Sequence, residues 1–188
     1  MKRIIAALIA LITVFTLFAS CGSKEFDADK YISESLLVAF KLLVNSNQDF
    51  YNNVFVLGHL KVDENKAFEK DGKKYAPVVD KKYASYQDLV DSLRITYTED
   101  CVSRILADYP VYSDIDGVFC YNLTDGKTVT EGRKWVLDPE KKPELEGKGA
   151  DYYIVEYRFT EGKHDELDEF KFVRSGTQYR LDELQYVD

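Results

Sequence analysis

Apolar positions recur along this chain with two periods, helical in the first half and alternating in the second. Ile32, Leu36, Ala39, Phe40 and Leu43 recur at helical spacing while Lys30, Glu34 and Lys41 fall elsewhere, which predicts an amphipathic helix from about Asp29 to Val44. Asn45-Ser46-Asn47 then reads as its stop. Val54, Val56, Leu60 and Val62 share one face of an expected strand over Val54–Val62, with Gly58 as a bulge or bend. Asp71-Gly72 is a hairpin turn signal, returning as a strand from Lys73 to Val79. Two capped helices follow. Ser85 precedes the stripe Leu89, Val90 and Leu93; Thr98 precedes Val102, Ile105, Leu106 and Tyr109, with Glu99 and Asp100 at the positive end of the helix dipole. Tyr97 and Val102 stand at staple spacing, and Pro110 closes the second helix.

Beyond Pro110 the period is two. Asp116-Gly117 turns into a strand on which Phe119, Tyr121 and Leu123 share a face. Asp125-Gly126 opens a polar loop running to Gly132, and Trp135-Val136-Leu137 is a short strand. Residues 138–149 are charged and rich in Pro and Gly, so they read as a mobile connection. Tyr152 to Thr160 is the clearest strand, with Tyr153, Val155, Tyr157 and Phe159 on one side. Glu161 to His164 makes a turn, Phe170 and Phe172 mark the next strand, and Ser175-Gly176 turns into a last one bearing Tyr179 and Leu181. Helices followed by an antiparallel meander predict one α+β domain over residues 29–188. Its N-terminal helix would pack on a curved antiparallel sheet, in a cystatin-like or NTF2-like layout.

The N-terminus sets the compartment. Lys2 and Arg3 precede an apolar run from Ile4 to Phe18. As a helix these fifteen residues reach about 22 Å, short of the roughly 30 Å hydrocarbon core, so a signal segment is expected rather than a membrane span. Leu17-Phe18-Ala19-Ser20-Cys21 resembles the lipobox of bacterial lipoproteins. The resemblance implies a signal peptide over 1–20, a lipidated Cys21, and a tether to residue 28. Acyl chains on Cys21 would hold the domain at the extracytoplasmic face of the cell membrane. Loss of Lys2 and Arg3 with the leader takes the formal charge from −8 to −10. Such an acidic domain does not favour nucleic acid and would attract a basic partner. All 14 tyrosines lie beyond the leader, suited either to half-buried sheet faces or to a binding surface.

Candidate chemistry is sparse. Cys101 and Cys120 are either a disulfide, permitted outside the membrane and worth ~3 kcal/mol by loop entropy, or two buried free thiols. The two histidines, His59 and His164, stand in no metal-ligand spacing, so neither a metal nor a cofactor is expected. Asp114 to Gly117 resembles the start of a calcium loop, but the later acidic ligands are missing and a plain turn is expected. No nucleophile elbow, P-loop or dinucleotide fingerprint occurs, and the chain reads as non-enzymatic. Asp165, Glu166, Asp168 and Glu169 read as the solvated end of a hairpin.

Tyr75, Tyr86-Gln87-Asp88-Leu89, Tyr97-Thr98-Glu99-Asp100 and Asp116-Gly117-Val118-Phe119 occur in an order that resembles the IseA-type DL-endopeptidase inhibitor family. The resemblance implies a cystatin-like domain, exported by a Gram-positive bacterium, that blocks NlpC/P60-type peptidases of the cell wall. A loop would plug the peptidase cleft, with acidic surface aiding docking. On this chain that loop would be Asp125, Gly126 and Lys127. The expected partners are therefore the membrane, through Cys21, and a cell-wall hydrolase, with the domain itself a monomer. The alternative is an NTF2-like lipoprotein that binds a small ligand or senses the envelope through a tyrosine-lined pocket.

Overall fold

A computed structural model describes residues 32–126 and 132–186. The expected signal peptide and tether, with Cys21, and Lys127 lie outside these residues. The described chain is an α+β domain in which a few helices pack on two curled antiparallel sheets, the architecture expected of a cystatin-like or NTF2-like fold.

Helix α1 spans Glu34–Phe50 behind the N-cap Ser33, whose hydroxyl oxygen accepts from the Leu36 amide. The expected stop at Asn45-Ser46-Asn47 does not occur. The Ser46 hydroxyl bonds back to the Leu42 carbonyl at 3.0 Å, so it continues the helix instead of competing with it. Asn47 is fully buried and its amide is consumed by other segments. Tyr97 donates to its Oδ1 at 3.0 Å, the Gln185 amide donates to the same oxygen at 2.9 Å, and its Nδ2 donates to the Gln185 carbonyl at 2.8 Å. The helix then runs into a π-helical turn, Tyr51–Phe55.

That turn consumes the start of the expected Val54–Val62 strand. Amides of Val56 and Leu57 both return to the Tyr51 carbonyl. The Tyr112 hydroxyl donates to the Val54 carbonyl at 2.9 Å and accepts from the Leu60 amide at 2.7 Å, doing with one phenol what a ladder would do. Val54, Phe55 and Val56 are buried in succession, and Val62 alone makes an isolated bridge, to Val78.

The first sheet has the order β1-β2-β4-β3, with β1 Phe68–Lys70, β2 Lys73–Pro77, β3 Tyr112–Ile115 and β4 Val118–Asn122. Both of its hairpins turn on Asp-Gly pairs with positive φ at each residue, 51° and 76° at Asp71-Gly72 and 54° and 82° at Asp116-Gly117. That geometry matches the strand twist and demands these residue types. Asp114 accepts from the Gly117 amide at 2.7 Å, so the calcium-like tetrad is a turn. Helices α2, Tyr86–Thr96, and α3, Glu99–Asp108, carry the expected caps: Ser85 accepts from the Asp88 amide and Thr98 from the Cys101 amide. Their junction closes the second sheet, because Thr98 donates its amide to the Leu181 carbonyl at 2.9 Å and Tyr97 bridges Leu181 in parallel. The edge of the last strand is thereby covered.

The second sheet comprises β5 Val136–Leu137, β6 Glu144–Lys148, β7 Tyr152–Glu161, β8 His164–Ser175 and β9 Gln178–Leu181. β7, β8 and β9 are successive neighbours, while β5 and β6 pair different stretches of the other edge of β7. β6 occupies what the sequence marks as a mobile connection. Its only apolar inward residue is Leu145, opposite Val155, and a register break before Gly147 lets the backbone pass Ile154 closely. α1 lies on the face carrying Tyr153, Val155, Tyr157 and Phe159. Phe40 stacks on Phe172 at 3.9 Å between ring centroids, flanked by Tyr153 and Tyr179.

Cys101 and Cys120 are free thiols, both buried. Cys101 belongs to the main core, where burial pushes its thiol up to about 11, with Arg104 opposing. Cys120 pairs in register with Ser113 and Pro77, on the side of β4 away from Phe119 and Tyr121, the residues that strand contributes to the main core. The disulfide reading is therefore replaced by its alternative.

Burial also raises Tyr83 to about 12 and holds Tyr97, Tyr112 and Tyr157 above the ordinary phenol range. These folded-state values exceed the unfolded one, near 10, so their stabilisation is complete below about pH 10 and lost as pH rises through the folded values. Absorbance at 295 nm should show this buried set ionising only together with the loss of circular dichroism above pH 10; ionisation of every tyrosine near pH 10 in a folded chain would refute it. Asn47→Ala should cost about 3 kcal/mol in urea unfolding, since the buried Tyr97 hydroxyl and both backbone groups of half-buried Gln185 lose their partner. A cost below about 0.5 kcal/mol would show that these segments do not depend on it.

Candidate functional site

The end of β4 builds the base of the loop that the sequence singles out. Asn122 is buried, and its Oδ1 accepts the amides of Thr124 at 2.9 Å and Asp125 at 3.1 Å, an Asx turn. Its Nδ2 donates to Asp125 Oδ2 at 2.9 Å, and Lys73 Nζ, from β2, reaches the same oxygen at 2.6 Å. The hydrogen bond to Asp125, followed by the charge attraction, raises the Lys73 ammonium above its usual value. The Gly126 amide returns to the Asn122 carbonyl at 2.9 Å, and Lys74 donates its amide to Thr124 Oγ1 at 2.8 Å.

Gly126 fits because it has no side chain. A Cβ there would lie 2.4 Å from the Tyr121 ring and 2.5 Å from the Asn122 carbonyl oxygen. At the other end of the loop, a Cβ on Gly132 would lie 2.2 Å from a methyl of Leu57. His59, two residues on, stacks on Tyr121 at 4.6 Å, with its Nδ1 2.8 Å from the Leu60 carbonyl oxygen. The two described residues that flank positions 127–131 are thus seated on the domain, Gly126 against Tyr121 and Gly132 against Leu57. Of the three loop residues taken from the sequence, Asp125 and Gly126 sit together here and Lys127 lies outside the described residues. The Asp125 carboxylate is engaged by Lys73 and Asn122, so it acts first as a strut of the turn.

Sequence reasoning missed a second feature. Glu144 of β6, Glu156 of β7 and Glu169 of β8 are register partners across three neighbouring strands. Burial first, then Glu146, Glu144 and Glu169, hold the Glu156 carboxyl above its ordinary value. Like charges directly opposite one another work against sheet stability. Exposed Leu167 and Val136 lie on the same outward side, in register with Arg158 and Thr160 of β7. The signal was absent from the sequence because the three glutamates share a face only through strand pairing.

Part of the ring mass that suggested a pocket lining fills the core: Tyr83, Tyr97, Tyr112, Tyr121 and Tyr157 are buried, and Tyr51, Tyr86, Tyr109, Tyr153, Tyr179 and Tyr186 pack half-buried against it. Among the described residues, no group of three or more His, Cys, Asp or Glu side chains is arranged to hold a metal ion, and no helix is long and apolar enough to cross a membrane. No protein-family model matches the chain. No curated protein matches it at a significant level either.

Gly126→Ala should destabilise the domain by about 1–3 kcal/mol, because the Asn122 carbonyl is backbone and cannot swing away. Lys73→Ala removes only a solvent-exposed pair and should cost about 1 kcal/mol or less. Chemical denaturation of the two variants checks the ranking, and equal costs would contradict the clamped turn.

Proposed function

We propose that the chain is a lipid-anchored extracytoplasmic lipoprotein, held to the bacterial cell membrane through Cys21, whose domain binds and restrains a peptidoglycan DL-endopeptidase of the NlpC/P60 type. The observation that carries this reading is the locked turn after β4. A segment that enters a peptidase cleft binds best when its conformation is fixed beforehand, since little ordering cost remains at association. Asn122, Lys73 and the close seat of Gly126 on Tyr121 supply that fixation at the base of the loop. The glutamate register on the second sheet supports the reading from another side, because it offers a concentrated acidic face to a basic partner. In this scheme the domain performs no chemistry. It acts by occupying the cleft, and the anchor confines that action to the membrane side of the wall.

The reading is tested with purified residues 24–188 against a DL-endopeptidase from the same organism, at low and moderate salt. Inhibition is expected to weaken with salt, since charge complementarity chiefly speeds association. Asp125→Lys, which breaks the strut to Lys73, should abolish inhibition. Changing Glu144, Glu156 and Glu169 together to Gln should slow association while leaving the bound complex largely intact. Absence of inhibition across the organism's cell-wall hydrolases would overturn the proposal.

A further inference from the structure

Strand β8 is longer than the strand that covers its outer edge. It runs from His164 to Ser175, but β9 pairs only with Phe172–Ser175. From His164 to Leu167 the chain is exposed, and Leu167 keeps 51% of its surface in water. This stretch is laddered to β7 on one edge alone.

Strand geometry determines which groups the other edge presents. In an antiparallel ladder the amide and carbonyl of one residue point to the same side, and the side alternates along the strand. The Arg174 amide donates to the Asp151 carbonyl at 2.7 Å, on the β7 side. The Glu169 carbonyl points the other way and accepts from Gln185 Nε2 at 2.7 Å, while Asp168 Oδ1 accepts from the Glu169 amide at 2.9 Å. Side chains thus occupy the edge at Glu169. Asp165 and Leu167 present their amides and carbonyls on that same side, and among the described residues nothing bonds them there.

The neighbouring side chains select what can pair with this edge. Glu166 and Asp168 stand on the α1 face, opposite Phe159 and Tyr157, whereas Asp165 and Leu167 stand on the outer face, opposite Thr160 and Arg158. Asp165 is ion-paired with Arg158, which leaves Leu167 as an apolar point beside a neutralised acid. A second copy of this strand would set acid against acid, and like charges across a ladder are unfavourable. Charge of one sign is a device against self-association at an edge, and it leaves the edge open to a strand of the opposite sign. We propose that the β8 edge from His164 to Asp168 takes an additional antiparallel strand from another protein, an extended segment in which basic and apolar side chains alternate. Backbone bonds to Asp165 and Leu167 hold it, with basic side chains beside Glu166 and Asp168 and an apolar one against Leu167. Neither the 122–126 turn nor a hydrolase enters, so this site stands or falls independently of the inhibitor reading.

The test titrates the full chain into a short labelled peptide alternating lysine and valine, followed by fluorescence anisotropy at low and moderate salt. Binding is expected, and it should weaken with salt. An antiparallel strand that sets valine opposite Leu167 turns its valine amides towards β8 and its lysine amides towards water. Methylating the valine amide nitrogens should therefore weaken binding about tenfold or more, while methylating the lysine amide nitrogens should change it little. Leu167→Pro removes one outward amide and spares the ladder to β7, a change that strand edges accept. It should weaken the parent peptide about tenfold with circular dichroism unchanged. The methylated peptides leave the protein untouched, so they decide the matter even if that variant misfolds. No binding, or a valine-methylated peptide that binds as tightly as its parent, would overturn the proposal. Dimers of the chain that Leu167→Pro dissolves would overturn it in favour of self-pairing.

Discussion

One buried side-chain amide joins three parts of the chain that are far apart in sequence. Asn47 accepts from Tyr97 at the α2–α3 junction and makes a two-way exchange with the backbone of Gln185 near the C-terminus. The junction in turn covers the edge of β9 through Thr98 and Leu181, and Gln185 reaches on to Asp168 of β8. Helix α1, the helical pair and the second sheet are thus fixed relative to one another by hydrogen bonds whose geometry is directional, while stacked rings such as Phe40 on Phe172 supply the non-directional burial. Packing alone would tolerate small slips of the helix along the sheet. A fully buried amide with its bonds made does not, because any slip leaves polar groups unpaired in a dry interior.

The elements legible in the sequence were those whose causes are local. Ser85 and Thr98 cap the helices that follow them, and the two Asp-Gly pairs turn as their backbone preferences require. The α+β order of helices before strands was readable for the same reason, as was the inward set of β7. The misreadings share a different cause. Asn45-Ser46-Asn47 looks like a stop only if Asn47 has no distant partner, and Val54–Val62 looks like a strand only if Tyr112 is not there to take its backbone groups. β6 carries too little apolar pattern to announce itself and exists because the edge of β7 was open to it.

The candidate loop was half legible. Its position and its glycine could be found from the turn chemistry. The engagement of Asp125 could not, because Lys73 comes from a strand 52 residues earlier. The glutamate register was beyond reach for the same reason. Three acids at 144, 156 and 169 form a row only after β6, β7 and β8 have paired, one of them across a bulge-bearing edge.

The span of the Asn47–Gln185 contact, 138 residues, also bears on when the domain can become itself. A chain that emerges from a ribosome or a translocation channel N-terminus first presents α1 long before the segment that locks it. Until the segment from Leu181 to Gln185 has been made, Asn47 has no Gln185 and β9 has not reached Thr98. Loops this long close slowly, and native contacts of this range form late. The architecture therefore keeps α1 unlocked until the segment that carries Gln185 has been made.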